Sequence, residues 1–158
     1  MSPDLRIETA DADDAGELMT VQRAAFLAEG ENYGTFRLPP MTETLDEIRA
    51  VIADPDSVVL VARLGHRLVG AVRGTVAAGT GYVARLAVAP DLQGRGIARR
   101  LMAVLEQALA GRVTRFELFT GSTSAGTLRL YHSLGYVDLG LRPGSESTPP
   151  LAYLEKRV

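Results

Sequence analysis

The segment Leu86-Ala-Val-Ala-Pro-Asp-Leu-Gln-Gly-Arg-Gly-Ile-Ala-Arg-Arg-Leu-Met leaves this chain few ways to fold. An apolar strand runs into Ala89-Pro90, and a loop with two glycines follows. A helix then opens, with Ile97, Leu101, Val104, Leu105, Ala108 and Leu109 on one stripe. Gly94 and Gly96 let the backbone turn sharply and let an anion come close to amide N–H groups. The helix N-terminus adds partial positive charge at the same place. First turns favour acids, yet this one holds Arg95, Arg99 and Arg100, with no acid before Glu106. Each such cation opposes the helix dipole by about 0.3–1 kcal/mol, a sign that a bound polyanion reverses. The segment therefore predicts a phosphate cradle.

The flanks define the architecture around it. Leu5–Thr9 alternates as a short strand. Asp11 and Asp13 are N-cap candidates for a helix carrying Leu18, Val21, Ala25 and Phe26. Glu29 to Pro40 reads as a loop. Thr42 opens a second helix with Leu45, Ile48 and Ile52 on one face, stopped by Asp54-Pro55. Three β-branched runs follow as an antiparallel meander: Ser57–Leu64, Arg67–Val76 and Gly81–Val88. After the cradle helix, Val113–Thr120 reads as a strand and Thr127–Leu134 as a helix closed by Gly135. Tyr136–Leu139 and Leu151–Lys156 are the last strands. Seven strands and four helices predict a mixed α/β (α+β) sheet in one domain, residues 1–158.

Several function classes drop out. Net charge is −2 over 158 residues, which gives no footprint for nucleic acid or an anionic membrane. There is no cysteine, and His66 and His132 are the only histidines, so no thiolate chemistry and no metal site are expected. The N-terminus lacks a leader pattern, and no apolar run approaches about 18 residues. A soluble cytoplasmic protein is the expectation. The Gly-x-Ser-x-Gly elbow of serine hydrolases is absent.

Which phosphate ligand would the cradle hold? A dinucleotide fold asks for a third small residue where Arg99 stands, although Glu117 lies near the spacing of a ribose-binding acid. It also places its glycines after the first strand of a parallel unit, whereas here a meander precedes them. The P-loop Gly-Lys-Ser/Thr is absent. Gln93-Gly-Arg-Gly-Ile-Ala matches the Gln/Arg-x-x-Gly-x-Gly/Ala signature, and with Leu86-Ala-Val-Ala-Pro before it the chain resembles the GNAT superfamily of N-acetyltransferases. The element order resembles that fold over essentially the whole chain.

The resemblance implies a sheet splayed at the cofactor-binding strand, with acetyl-CoA in the gap. The amides of Gln93, Gly94, Arg95, Gly96, Ile97 and Ala98 would hold the pyrophosphate, and Arg99 would also bind the cofactor. Leu86, Ala87 and Val88 would run beside the pantetheine arm, with an amide near Val88 polarising the thioester carbonyl. Ser124-Ala-Gly-Thr-Leu-Arg-Leu-Tyr131-His-Ser-Leu-Gly-Tyr136 resembles a second family element, which assigns Tyr131 as general acid. Two positions depart from it. Ser124 stands where the family usually has Asn, and Thr127 where it usually has Ala; Ser124 can still offer one hydrogen bond to the pantetheine.

The acceptor is expected to be an amine of a small molecule, amino acid or peptide, acetylated directly in a ternary complex. Glu29, Glu31 and Glu43 flank the expected acceptor loop and are candidate bases, as is Glu117. Tyr33, with Phe36 and Arg37, would wall the pocket, and Arg85 could orient an anionic acceptor group. A non-catalytic acyl-CoA-binding module and a dinucleotide-binding protein are the alternatives. A homodimer through a free sheet edge is a further expectation.

Overall fold

The computed structural model describes residues 4–144 and 149–158. The first strand, β1 (Leu5–Thr9), leads into a 3-10 turn at Ala12–Asp14. Asp11 caps that turn: its side chain accepts from the Asp13 amide at 2.8 Å, and Asp14 reaches back to the Asp11 amide at 2.9 Å. Helix α1 then runs Ala15–Tyr33. The loop expected from Glu29 is therefore helix for another turn. Ala24, Ala25, Leu27, Ala28 and Glu29 are strong helix formers, and a lone Gly30 does not outweigh them. The stop comes at Gly34, in the left-handed region at φ 69°, with the Thr35 amide returning to the Gly30 carbonyl at 2.9 Å.

A short helix α2 (Pro39–Thr42) lies outside the four expected helices and makes five among the described residues; it has prolines in its first turn, where a missing N–H costs nothing. Helix α3 (Leu45–Ala53) starts at a capping box between Thr44 and Glu47, two residues beyond the expected Thr42. The meander is β2 (Ser57–Leu64), β3 (Arg67–Ala77) and β4 (Thr80–Val88). Helix α4 (Ile97–Leu109), β5 (Arg115–Gly121), α5 (Ala125–Ser133), β6 (Val137–Arg142) and β7 (Leu151–Arg157) complete the chain.

The seven strands form one sheet in the order β1-β2-β3-β4-β5-β7-β6, antiparallel throughout except between β4 and β5. Helices cover both faces. On one, Leu60, Ala62, Val69, Val72, Phe116, Leu118 and Leu154 pack under α4, with Tyr131 of α5 in the same cluster. On the other, Val59, Val61, Leu68 and Ala71 meet Ala15 and Leu18 of α1 and Ile48 of α3. Burial of alternate residues on opposite faces explains why β2 and β3 read as unbroken apolar runs. β6 is the outer strand, and its Val137, Leu139 and Leu141 are exposed, so the sheet keeps a free edge there. Among the described residues no helix is long and apolar enough to cross a membrane.

Candidate functional site

The site begins with a fault in the sheet. β3 and β4 pair in register from Ala77↔Thr80 to Arg73↔Ala84, and pairing resumes at Ala71↔Ala87. One extra residue in β4 is thus bulged out at Arg85–Leu86. Arg85 takes φ 58°, a left-handed backbone that a side-chain-bearing residue adopts only when its surroundings impose it. On its other side β4 pairs with β5 only through Thr80↔Arg115, Gly81↔Phe116 and Tyr82↔Glu117. Beyond those three rungs the strands separate.

The gap widens into a cleft of about 910 Å³. Which backbone groups face it follows from alternation along a strand. The Ala89 amide bonds the Val69 carbonyl of β3 at 2.8 Å. Ala87 therefore also faces β3, while Leu86 and Val88 turn their N–H and C=O groups toward the gap. Consistent with this, the Val88 carbonyl accepts from Gln93 Nε2 at 3.4 Å.

At one end of the cleft lies the glycine loop. Gly94 and Gly96 have φ 78° and 79°, a region costly for any residue with a Cβ. Gly96 is the N-cap of α4 and provides no side-chain cap, and no acid occupies the first turn. Among the described residues the amides of 94–99 bond no acceptor; the Arg100 amide is the first to do so, on the Gly96 carbonyl at 3.2 Å. Unbonded donors beside a positive helix end suit a multiply charged anion. Of the residues expected here, Gln93, Gly94, Gly96, Ile97, Ala98 and Arg99 line the cleft. The Arg95 side chain does not line it and is exposed, and Arg99 Nη2 donates to Ser133 Oγ at 2.6 Å.

Tyr131 projects from α5 into the middle of the cleft wall, 6% exposed. Its ring lies 5.8 Å from that of Tyr136, and its hydroxyl bonds to nothing among the described residues. Burial pushes this phenol well above the ordinary tyrosine pKa, so it holds its proton through the neutral range.

The other end is closed by α1, α2 and the β5–α5 turn. Glu29 and Tyr33 line the cleft as expected, but from the last turns of α1. The Ser124 hydroxyl donates to Glu29 Oε2 at 2.7 Å and lies 3.0 Å from the Tyr33 hydroxyl. Thr123 Oγ1 donates to the same phenol at 2.9 Å. Gly121 makes room for it: a Cβ there would fall 2.1 Å from the Tyr33 oxygen. Ser124 is thus buried in a tie between α1 and α5, away from the cleft wall where a pantetheine contact was expected of it. Glu31 is exposed and outside the cleft, because it falls on the solvent side of an unbroken helix.

Glu43 and Arg85 belong to a buried polar cluster. Arg73 grips Glu43 with two hydrogen bonds of 2.8 Å each, their side chains 9% and 10% exposed. Gln22 Nε2 donates to Glu43 Oε1 at 3.0 Å, and Arg85 Nε stands 3.6 Å from that oxygen. Burial pushes the Glu43 carboxyl up, but the hydrogen bonds from Arg73 and Gln22 and the charges of Arg73 and Arg85 outweigh it. Its pKa therefore lies below the ordinary value of 4.5, which suits a structural anion better than a base. Glu117 is likewise engaged, bonded by Arg115 at 3.0 Å, and does not line the cleft.

Sequence reasoning misses Arg73 and Gln22. The signal was there: a lone arginine inside Val69–Val76 is a charge in an otherwise apolar strand and must find a partner. Glu43→Gln should cost about 3 kcal/mol in denaturant unfolding, because it strands two buried guanidinium groups. A carboxylate whose pKa is lowered by folding stabilises above its unfolded pKa, and that contribution disappears as pH falls through the folded one. The wild type should thus lose stability below about pH 4.5, and the variant should show a flatter acid limb.

Comparison with known proteins places these features in context. Residues 22–136 match the family model described as Acetyltransferase (GNAT) family. Mycothiol acetyltransferase from Kineococcus radiotolerans is 33% identical over 96 residues, 59% of this chain. The match spans only 32% of that relative's length. Among solved structures, the PaiA N-acetyltransferase of Thermoplasma acidophilum in complex with coenzyme A superposes with a TM-score of 0.81. It shares 15% identity, with 98% of this chain and 99% of that one covered. YncA of Salmonella typhimurium, a structure with its cofactor acetyl-CoA, gives a TM-score of 0.78 at 20% identity, covering 97% and 93%. At these identities the likeness establishes the fold.

Proposed function

Because this chain belongs to the acetyltransferase (GNAT) family, we propose that it transfers an acetyl group from acetyl-CoA directly to an amine within a ternary complex. The observation that carries the reading is continuity. One cleft is lined by Gly94 and residues 96–99, whose amides are unbonded among the described residues, by the gap-facing backbone of Leu86 and Val88, and by Tyr131. Together these suit a ligand with a polyanionic head, an extended amide-bearing arm and a reactive end.

Acetyl-CoA, when bound, supplies an activated thioester. In this reading the loop amides and the α4 N-terminus hold its pyrophosphate. Leu86 and Val88 offer backbone groups to the pantetheine as a neighbouring strand would. The Val88 N–H, which faces the gap, would donate to the thioester carbonyl oxygen as it gains negative charge, an interaction that lowers the barrier more than it tightens binding. Tyr131, still protonated at neutral pH, gives or shares its proton with the sulfur that leaves. Glu29 attracts the cationic amine and takes its proton, directly or through water. The lack of cysteine rules out an acetylated-thiol route and fits a reducing compartment such as the cytoplasm.

Isothermal titration with acetyl-CoA, NAD and NADP, followed by a thiol-release screen over amines, tests the proposal. Saturable acetyl-CoA binding and acceptor-dependent release of CoA are expected. Preference for a dinucleotide would sink it; binding without transfer to any amine would favour a module that only carries acyl-CoA.

A further inference from the structure

Charge does not balance within the buried cluster around Glu43. Arg73 and Arg85 share the single carboxylate of Glu43, and Arg73 has taken both of its oxygens. The next carboxylate acting on Arg85, Glu47, is turned to the Thr44 amide at 3.0 Å. Arg85 Nε is buried without a hydrogen-bond partner. Its Nη1 and Nη2 atoms donate to no described residue, although the side chain lines the cleft and is 21% exposed. The bulge holds this residue in a strained backbone at φ 58°, and such strain persists where the fold over-determines a position. Burial lowers the affinity of this guanidinium for its proton, Glu43 opposes the fall and Arg73 adds to it. An incompletely paired cation is thus kept at the cleft wall against its electrostatic cost.

We infer that the acceptor is an amine that also carries a carboxylate, and that the Arg85 fork binds this carboxylate while Glu29 on the α1 wall receives the amine. This rests on the acetyltransferase reading above. A planar guanidinium offers two parallel N–H groups that match a carboxylate and fix its orientation. One cation incompletely paired among the described residues balances one negative charge, which favours a carboxylate over a phosphate dianion. Desolvation in the cleft makes the pairing discriminating, since a neutral amide would leave the cation unpaired.

The test compares matched acceptors: the common α-amino acids and short peptides against their C-terminal amides, with phosphoethanolamine beside β-alanine. CoA release is measured in each case. At least one acid should be acetylated about 10-fold or more better in kcat/KM than its amide. Arg85→Gln should lower kcat/KM for that acid by about 10- to 100-fold and leave the amide nearly unchanged. Arg85→Lys should fall between, because it keeps the charge and loses the fork. Unchanged acetyl-CoA affinity in the variants shows that the fold is intact; if Arg85→Gln does not fold, the wild-type ratio of acid to amide decides. Equal use of acids and amides, preference for phosphoethanolamine, or transfer to none of the acids overturns the inference. Failure to bind acetyl-CoA would instead strike the reading on which it rests.

Discussion

Gly96→Glu is expected to abolish measurable acetyl-CoA binding, a loss of at least about 100-fold in a calorimetric titration. Two penalties coincide. Gly96 sits at φ 79°, so a residue with a side chain pays roughly 1–2 kcal/mol in backbone strain. The new carboxylate then stands at the N-terminus of α4, where, in the proposed reading, it competes with the pyrophosphate for the helix dipole and repels the ligand. A Cβ at this position meets open space, with nothing within 4 Å, so the protein itself should still fold. Gly96→Ala separates the two effects: strain alone should weaken binding by about 10-fold. If Gly96→Glu bound acetyl-CoA like the wild type, the phosphate would have to lie elsewhere.

Tyr131→Phe should lower kcat by about 100-fold with little change in KM, as expected of a group whose value lies in the reaction step. The ring packs in the core cluster beside Tyr136, and phenylalanine preserves that contact. Because burial keeps the phenol protonated, its titration should not shape the rate across the neutral range. The wild-type rate should climb with pH as the acceptor amine loses its proton, and the variant should climb in parallel from a lower level. A variant with full kcat would reduce Tyr131 to a packing residue.

The cradle was legible in the sequence because it depends on local rules. Two glycines, a helix start and an absence of acids are all readable within a dozen residues, and the structure sets Gly94 and Gly96 in the left-handed region. The meander, the cradle helix and the mixed sheet followed from periodicity, which burial on alternate faces enforces. The acceptor end was harder. There, Glu43 meets Arg73 across 30 positions and Ser124 meets Glu29 across 95, and no local pattern reports such pairings. The reach of α1 to Tyr33 was hidden by Gly30 and Gly34, which look like loop residues until packing decides which one ends the helix. Ser124 was judged by position in a motif, and its hydroxyl proved to be committed to a different neighbour.

The three rungs between β4 and β5 bear on a hazard common to all sheets. A strand edge with free donors and acceptors invites any passing sheet to add to it, and the usual outcome is aggregation. Here the free edge of β4 looks inward, across a slot walled by Phe26, Leu38, Phe119 and Leu130. A folded sheet is too bulky to enter such a slot, whereas a single extended chain is not. The missing rungs therefore act as a sieve by thickness: the fold can keep a sticky backbone permanently exposed to slender molecules and permanently hidden from other proteins.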